Sequence, residues 1–135
     1  MSMIDHITIY VHDLDASYVF YAKALAVLGM KVNLGGAEEG LYGFGVGNEP
    51  EFEISAGRVL ISQANDARAV TPRVHIAFRA RDQKTVQLFY EAAMGVSGLG
   101  NGPPGPRPDY GEAYYAAFVL DPDGNNIEVV TFSVT

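Results

Sequence analysis

The chain has 135 residues, 48% of them apolar and 19% charged, which suits one domain with a substantial buried core and no disordered tail. A formal net charge of −7 argues against nucleic acid or an anionic membrane surface as a partner. Such an acidic balance chiefly keeps a small protein in solution, and secondarily favours a cationic ligand or a metal.

No cysteine is present, which excludes disulfides, thiolate ligation and a cysteine nucleophile, and fits a reducing cytoplasm. The opening Met1-Ser2-Met3-Ile4-Asp5-His6 has neither the basic flank nor the apolar run of a signal peptide. No stretch approaches the ~18 apolar residues of a membrane span. The expectation is a soluble, cytoplasmic protein.

Residues 4–11 alternate apolar and polar and are rich in β-branched side chains, which predicts a strand. Asp13 or Asp15 then caps a helix running to about Leu28, with Val19, Phe20, Leu25 and Leu28 as its apolar stripe and Gly29 as its terminator. Short strands follow near 30–34, 40–47 and 51–55, separated by glycine-rich turns. A linker near 58–72 includes a further short apolar run, Val59-Leu60-Ile61-Ser62. Beyond it come a strand at 73–80, a helix near 82–96 and Gly98. The stretch 101–110 holds four prolines and predicts a stiff extended loop that forbids regular pairing. Strands at 113–120 and 126–133 flank the turn Asp121-Pro122-Asp123-Gly124.

The two halves repeat. A fixed offset of 69 residues carries His6 onto His75, Asp13 onto Asp82, Phe20 onto Phe89, Tyr21 onto Tyr90, Ala24 onto Ala93 and Gly29 onto Gly98, with no gap. The chain therefore reads as two β-α-β-β-β modules, about 1–57 and 73–135, within a single domain.

Each module opens with a strand-borne histidine and closes with a strand-borne carboxylate. These are His6 with Glu53 (Glu51, two residues away on the same face, being the alternative), and His75 with Glu128. A histidine on a strand is ordinarily a satisfied core residue, and a buried glutamate ordinarily pairs with arginine. The symmetric recurrence of both types points instead to a divalent metal site with imidazole and oxygen ligands, converging about a pseudo-twofold axis. Ni, Zn, Fe, Mn and Co suit such a set equally.

These features together resemble the vicinal oxygen chelate superfamily, which includes glyoxalase I, bleomycin-resistance proteins, fosfomycin-resistance enzymes and extradiol dioxygenases. The resemblance rests on the strand of His6, Asp13 with Phe20-Tyr21, the strand of His75, and the ending Asp121-Pro122-Asp123-Gly124-Asn125-Asn126-Ile127-Glu128. It covers essentially the whole chain. It implies an α+β fold in which tandem βαβββ modules form a curved mixed sheet around a central cleft, with metal ligands at His6, Glu53, His75 and Glu128. For glyoxalase-like members it implies a metal-dependent lyase or isomerase acting on a small substrate with vicinal oxygens. The metal there stabilises an ene-diolate, and Glu53 or Glu128 serves as base. A homodimer with a shared cleft is also implied.

Arg107, Tyr110, Tyr114, Tyr115, Phe44 and Phe118 are the candidate cavity wall, with Arg107 placed to meet a substrate carboxylate or phosphate. His12 receives no role. The alternatives are a metal-free drug- or metabolite-binding protein of the bleomycin-resistance type, and a thiol transferase, for which no phosphonate or potassium loop is recognisable.

Overall fold

A computed structural model of the chain describes residues 3–56, 69–97 and 99–135. The first module consists of β1 (Ile7–Val11), α1 (Leu14–Ala26), β2 (Lys31–Gly36), β3 (Leu41–Gly45) and β4 (Phe52–Ala56). The second consists of β5 (His75–Arg79), α2 (Gln83–Ser97), β6 (Gly100–Pro106), β7 (Tyr115–Leu120) and β8 (Asn126–Thr131). The expected short strand at 59–62 and Gly98 lie outside the described residues.

The strand orders are β1-β4-β3-β2 and β5-β8-β7-β6, so each sheet has the same order within its module. First and last strands pair in parallel, and the rest pair antiparallel. The described strands form two four-stranded mixed sheets, one per module, as the tandem βαβββ reading expects.

Both helices start for the same reason. Asp13 Oδ1 accepts the Ala16 amide at 3.1 Å, and its repeat mate Asp82 accepts the Thr85 amide at 2.8 Å, so each aspartate satisfies a donor that a helix start leaves unpaired. Helix α1 buries Phe20, Tyr21, Ala24 and Leu25 against its sheet. Val19 is half exposed and does not belong to this stripe, because it sits one position off the buried arc. The pairs Phe20/Phe89 and Ala24/Ala93 are buried alike, as the repeat predicts.

The proline-rich segment corrects an expectation. Residues 100–106 do pair, as β6, with β7. Proline removes donors, but an edge strand needs hydrogen bonds on one side only, and two register shifts between Gly100 and Gly105 step past Pro103 and Pro104.

One continuous core joins the modules. Ile9, Phe52 and Ile54 pack under α1, Val119, Ile127 and Val129 pack under α2, and the two helices pack on each other. At this seam the Tyr21 hydroxyl donates to Oδ2 of Asp121, whose carboxylate also accepts from the backbone amides of Asp123 (2.9 Å) and Asn125 (2.8 Å) and from Asn125 Nδ2 (2.9 Å). The Asp121–Gly124 turn closes with a 2.9 Å backbone bond, and Gly124 takes the positive φ of 85° that this connection requires. No described helix is long and apolar enough to cross a membrane.

Candidate metal and ligand site

Side chains alternate between the faces of a strand, so parallel pairing of first and last strands aligns their outer residues. In the second module Ala77 lies opposite Glu128, and His75 lies opposite Asn126. All four therefore share the face away from α2. His75 Nε2 reaches Glu128 Oε1 at 2.8 Å. The carboxylate is only 3% exposed, whereas the imidazole is 53% exposed. Tyr114 donates to the other oxygen, Oε2. Burial, and then the bond to Glu128, push the Tyr114 phenol up to about 12.

The first module repeats this design loosely. His6 stands just before β1, and its Nε2 lies 3.8 Å from Glu53 Oε2. Its Nδ1 meets Asp5 at 2.7 Å. That bond first, and the Glu53 charge second, raise the His6 pKa above the usual imidazole range. Thr8 donates to Glu53 Oε1 at 3.2 Å. Thr8 and Ala77 are repeat mates, so the module that lacks the hydroxyl uses Tyr114 instead. Glu51 turns away to accept the Val46 amide at 3.3 Å, which leaves Glu53 as the carboxylate beside His6.

The two pairs do not meet within the chain. Among the described residues no group of three or more histidines and carboxylates converges. The modules associate through their helices and helix-covered faces, and each histidine–glutamate pair lies on the opposite face of its own sheet. The described residues hold two separate histidine–glutamate pairs.

The other candidates divide by strand parity. Phe118 lies opposite Glu128 on the same face, its ring 6.1 Å from that of His75. Arg107 sits over Phe118 at 5.4 Å, and Tyr110 packs edge-on to Tyr114 at 5.3 Å. Arg107, Tyr110, Phe118, Asn101, Gly102 and Asn126 line a concavity of about 300 Å³. Tyr115 points the other way, its hydroxyl accepting from Gln87 of α2 at 2.9 Å. Phe44 is buried in the core beside Phe52. Neither Tyr115 nor Phe44 lies on the face that carries its module's histidine–glutamate pair. The backbone of His12 donates to Asp123 at 3.0 Å. Sequence reasoning missed Thr8, Asp5 and Asn126; for Thr8 the signal was available, since it stands two residues after His6 on the same strand face.

None of the curated proteins matches this chain. Among solved structures it is similar to a glyoxalase/bleomycin resistance protein from Albidiferax ferrireducens T118, with TM-score 0.73, 24% identity and coverage of 96% of this chain and 98% of that one. It is also similar to lactoylglutathione lyase from Agrobacterium tumefaciens, with TM-score 0.64, 21% identity and coverage of 97% and 94%. A glyoxalase-related enzyme from Fulvimarina pelagi gives TM-score 0.68, 20% identity and coverage of 97% and 88%. At these identities the likeness speaks for the fold. The model of one family matches residues 3–129, nearly the entire chain: this protein belongs to the Glyoxalase/Bleomycin resistance protein/Dioxygenase superfamily.

Proposed function

We propose that the protein is a metal-dependent glyoxalase-like enzyme acting on a small substrate with adjacent oxygens. In this reading each site is assembled from His6 and Glu53 of one subunit and His75 and Glu128 of the other in a homodimer. The observation that carries it is the pair formed by His75 and the buried Glu128. A carboxylate this deeply buried is costly without a cation, and its only ion-pair partner among the described residues is an imidazole, charged only when protonated. Two imidazoles and two carboxylates suit a divalent ion such as Ni, Zn, Fe, Mn or Co. Such an ion, when bound, would supply Lewis acidity toward two neighbouring substrate oxygens.

The chain's own groups divide the remaining work. Glu128, held at both oxygens, is the fixed partner. Among the described residues Glu53 has only the 3.2 Å and 3.8 Å side-chain contacts, so it is freer to take a proton from a substrate carbon and return it to the adjacent one. A twofold dimer suits two half-sites on two outward faces, because an isologous interface brings unlike patches together in both directions.

The test is metal content by elemental mass spectrometry together with subunit mixing. Wild type should bind metal near one ion per subunit, and neither His6→Ala/Glu53→Ala nor His75→Ala/Glu128→Ala should bind any. Co-expressed variants should recover about a quarter of the wild-type content, because random pairing gives half heterodimers with one intact site each. A monomer, or a wild type that takes up none of the five metals, overturns this reading.

One observation favours a second reading. Both oxygens of Glu128 are already satisfied by His75 and Tyr114, as suits a metal-free binding protein of the bleomycin-resistance type. Tight ligand binding without turnover or metal would establish it.

A further inference from the structure

The face of the second sheet turned away from α2 carries a fixed cation that the histidine–glutamate chemistry does not use. Pro103 and Pro106 belong to edge strand β6, whose outer side has no neighbouring strand among the described residues. Their rings cannot donate, but their carbonyls still need partners. The Arg107 guanidinium supplies them, with Nη2 to the Pro103 oxygen at 2.6 Å and Nη1 to the Pro106 oxygen at 3.3 Å.

The backbone beneath is cut to fit. A Cβ at Gly105 would stand 3.2 Å from Nη1, and one at Gly102 would stand 3.3 Å from Nη2 and 2.9 Å from the Phe118 ring. Phe118 backs the guanidinium at 5.4 Å from its centroid, a cation–π distance. A guanidinium has five N–H donors, and these two bonds leave several for a ligand. Arg107 takes part in none of the ion pairs found among the described residues, although the chain carries a net charge of −7. The same Phe118 ring is 6.1 Å from the His75 ring, so one phenyl group separates this cation from the candidate ligand pair.

We propose that Arg107 is the anchor for an anionic oxygen group, a carboxylate above all, on the ligand that reaches His75 and Glu128. The ligand class is then a small acid with a planar or apolar body that lies against Phe118 and Tyr110, both of which line the concavity with Arg107. The placement beside the histidine–glutamate pair rests on the proposed function; the anion pocket itself does not.

The experiment therefore uses full-length metal-free protein with chelator present. Benzoate, phenyl phosphate and benzamide are titrated while the backbone amides and the Arg107 Nε–H are followed by NMR. Benzoate is expected to shift Gly102, Arg107 and Asn126, and isosteric but neutral benzamide to leave them in place. Tighter binding of phenyl phosphate would reassign the anion to phosphate and still support the anchor.

Arg107→Gln should weaken benzoate binding by about tenfold or more, the loss expected for a charged hydrogen-bonded pair. Gly105→Ala keeps the charge but crowds Nη1, and should weaken binding in the same direction. This second variant covers the case in which the loss of Arg107 disturbs β6. Equal response to benzamide, no response to either anion, or wild-type affinity in both variants overturns the proposal. A protein that binds benzoate through Arg107 yet takes up no metal would sink the enzyme reading alone, and the converse result would sink only this one.

Discussion

His75 and Tyr114 hold opposite oxygens of the Glu128 carboxylate, one at 2.8 Å from the first strand of the module and one from the residue just before β7. The carboxylate between them is nearly closed to solvent. Tyr114→Phe removes a donor and leaves a buried oxygen unsatisfied, which costs about 1–3 kcal/mol. Urea unfolding of the metal-free protein measures this, and a change of a few tenths of a kcal/mol would show that the bond contributes nothing. The phenol gives a second readout. A pKa raised to about 12 from 10.0 means that this part of the stability is present below pH 10 and is lost as pH climbs through 12. Glu128→Gln should bring the tyrosine titration back only part of the way, because burial is the larger cause.

The module seam offers an independent test. Asp121 is buried and accepts the Tyr21 hydroxyl, two backbone amides and the Asn125 amide. Burial, and then the Asp121 charge, push the Tyr21 phenol well up. Tyr21→Phe keeps the ring packed against Phe20 and Phe52 and removes only the hydroxyl. The expected loss is about 1.5–3 kcal/mol, the range for a bond to a charged acceptor. Unfolding should remain a single transition, since the core is continuous across the seam. Two resolved transitions in wild type would contradict that continuity.

Much of this fold was legible because the repeat is physical as well as textual. The offset that aligns Asp13 with Asp82 aligns two working helix caps, and the one that aligns Phe20 with Phe89 aligns two core residues. The pairing of His6 with Glu53 and of His75 with Glu128 was legible for a related reason. Both follow from first and last strands lying in parallel register. The rest depends on relationships that alternation within one strand does not contain. Whether two modules meet through helices or through open faces is decided by tertiary packing, and so is the separation of the two histidine–glutamate pairs. Tyr114 and Tyr115 are adjacent aromatics that parity sends to opposite faces, and only the register of β7 against β8 shows which one faces Glu128. The proline-rich strand was missed because proline's lost donor was weighed, but its retained carbonyl was not.

The two caps make a matched pair for mutation. Asp82 also accepts the Thr85 hydroxyl at 2.6 Å, a bond that Asp13 lacks a counterpart for, since residue 16 is alanine. The two Thr85 bonds, side chain first, hold the Asp82 carboxyl below its ordinary value of 3.8. A depressed carboxylate contributes stability that is present above the unfolded-state value and is lost as pH falls through the folded one. Asp13→Ala and Asp82→Ala should each cost about 0.5–2 kcal/mol at neutral pH, the usual range for a lost cap. The difference between Asp82→Ala and wild type should shrink as pH drops below 3.8. A difference that persists unchanged through acid would mean that the cap does not act through its charge.

His6 separates the influence of its two carboxylate neighbours. Its pKa lies above the ordinary 6.5, with the Asp5 hydrogen bond as the first cause and the Glu53 charge as the second. A raised imidazole contributes stability that is fully present below 6.5 and is lost as pH rises through the folded value. The shift itself is the better observable, since the ring is open to solvent and screening makes its energetic share small. In metal-free protein, NMR titration of the ring proton should show a midpoint above 6.5 in wild type. Asp5→Asn should lower it more than Glu53→Gln does, and each should lower it. A larger effect from Glu53→Gln would mean that His6 is held by Glu53 across the strands and that Asp5 is incidental, and a wild-type midpoint at or below 6.5 would mean that neither carboxylate raises it. Raised salt should shrink the Glu53 contribution first, because that pair is separated by 3.8 Å while Asp5 is in direct contact at 2.7 Å.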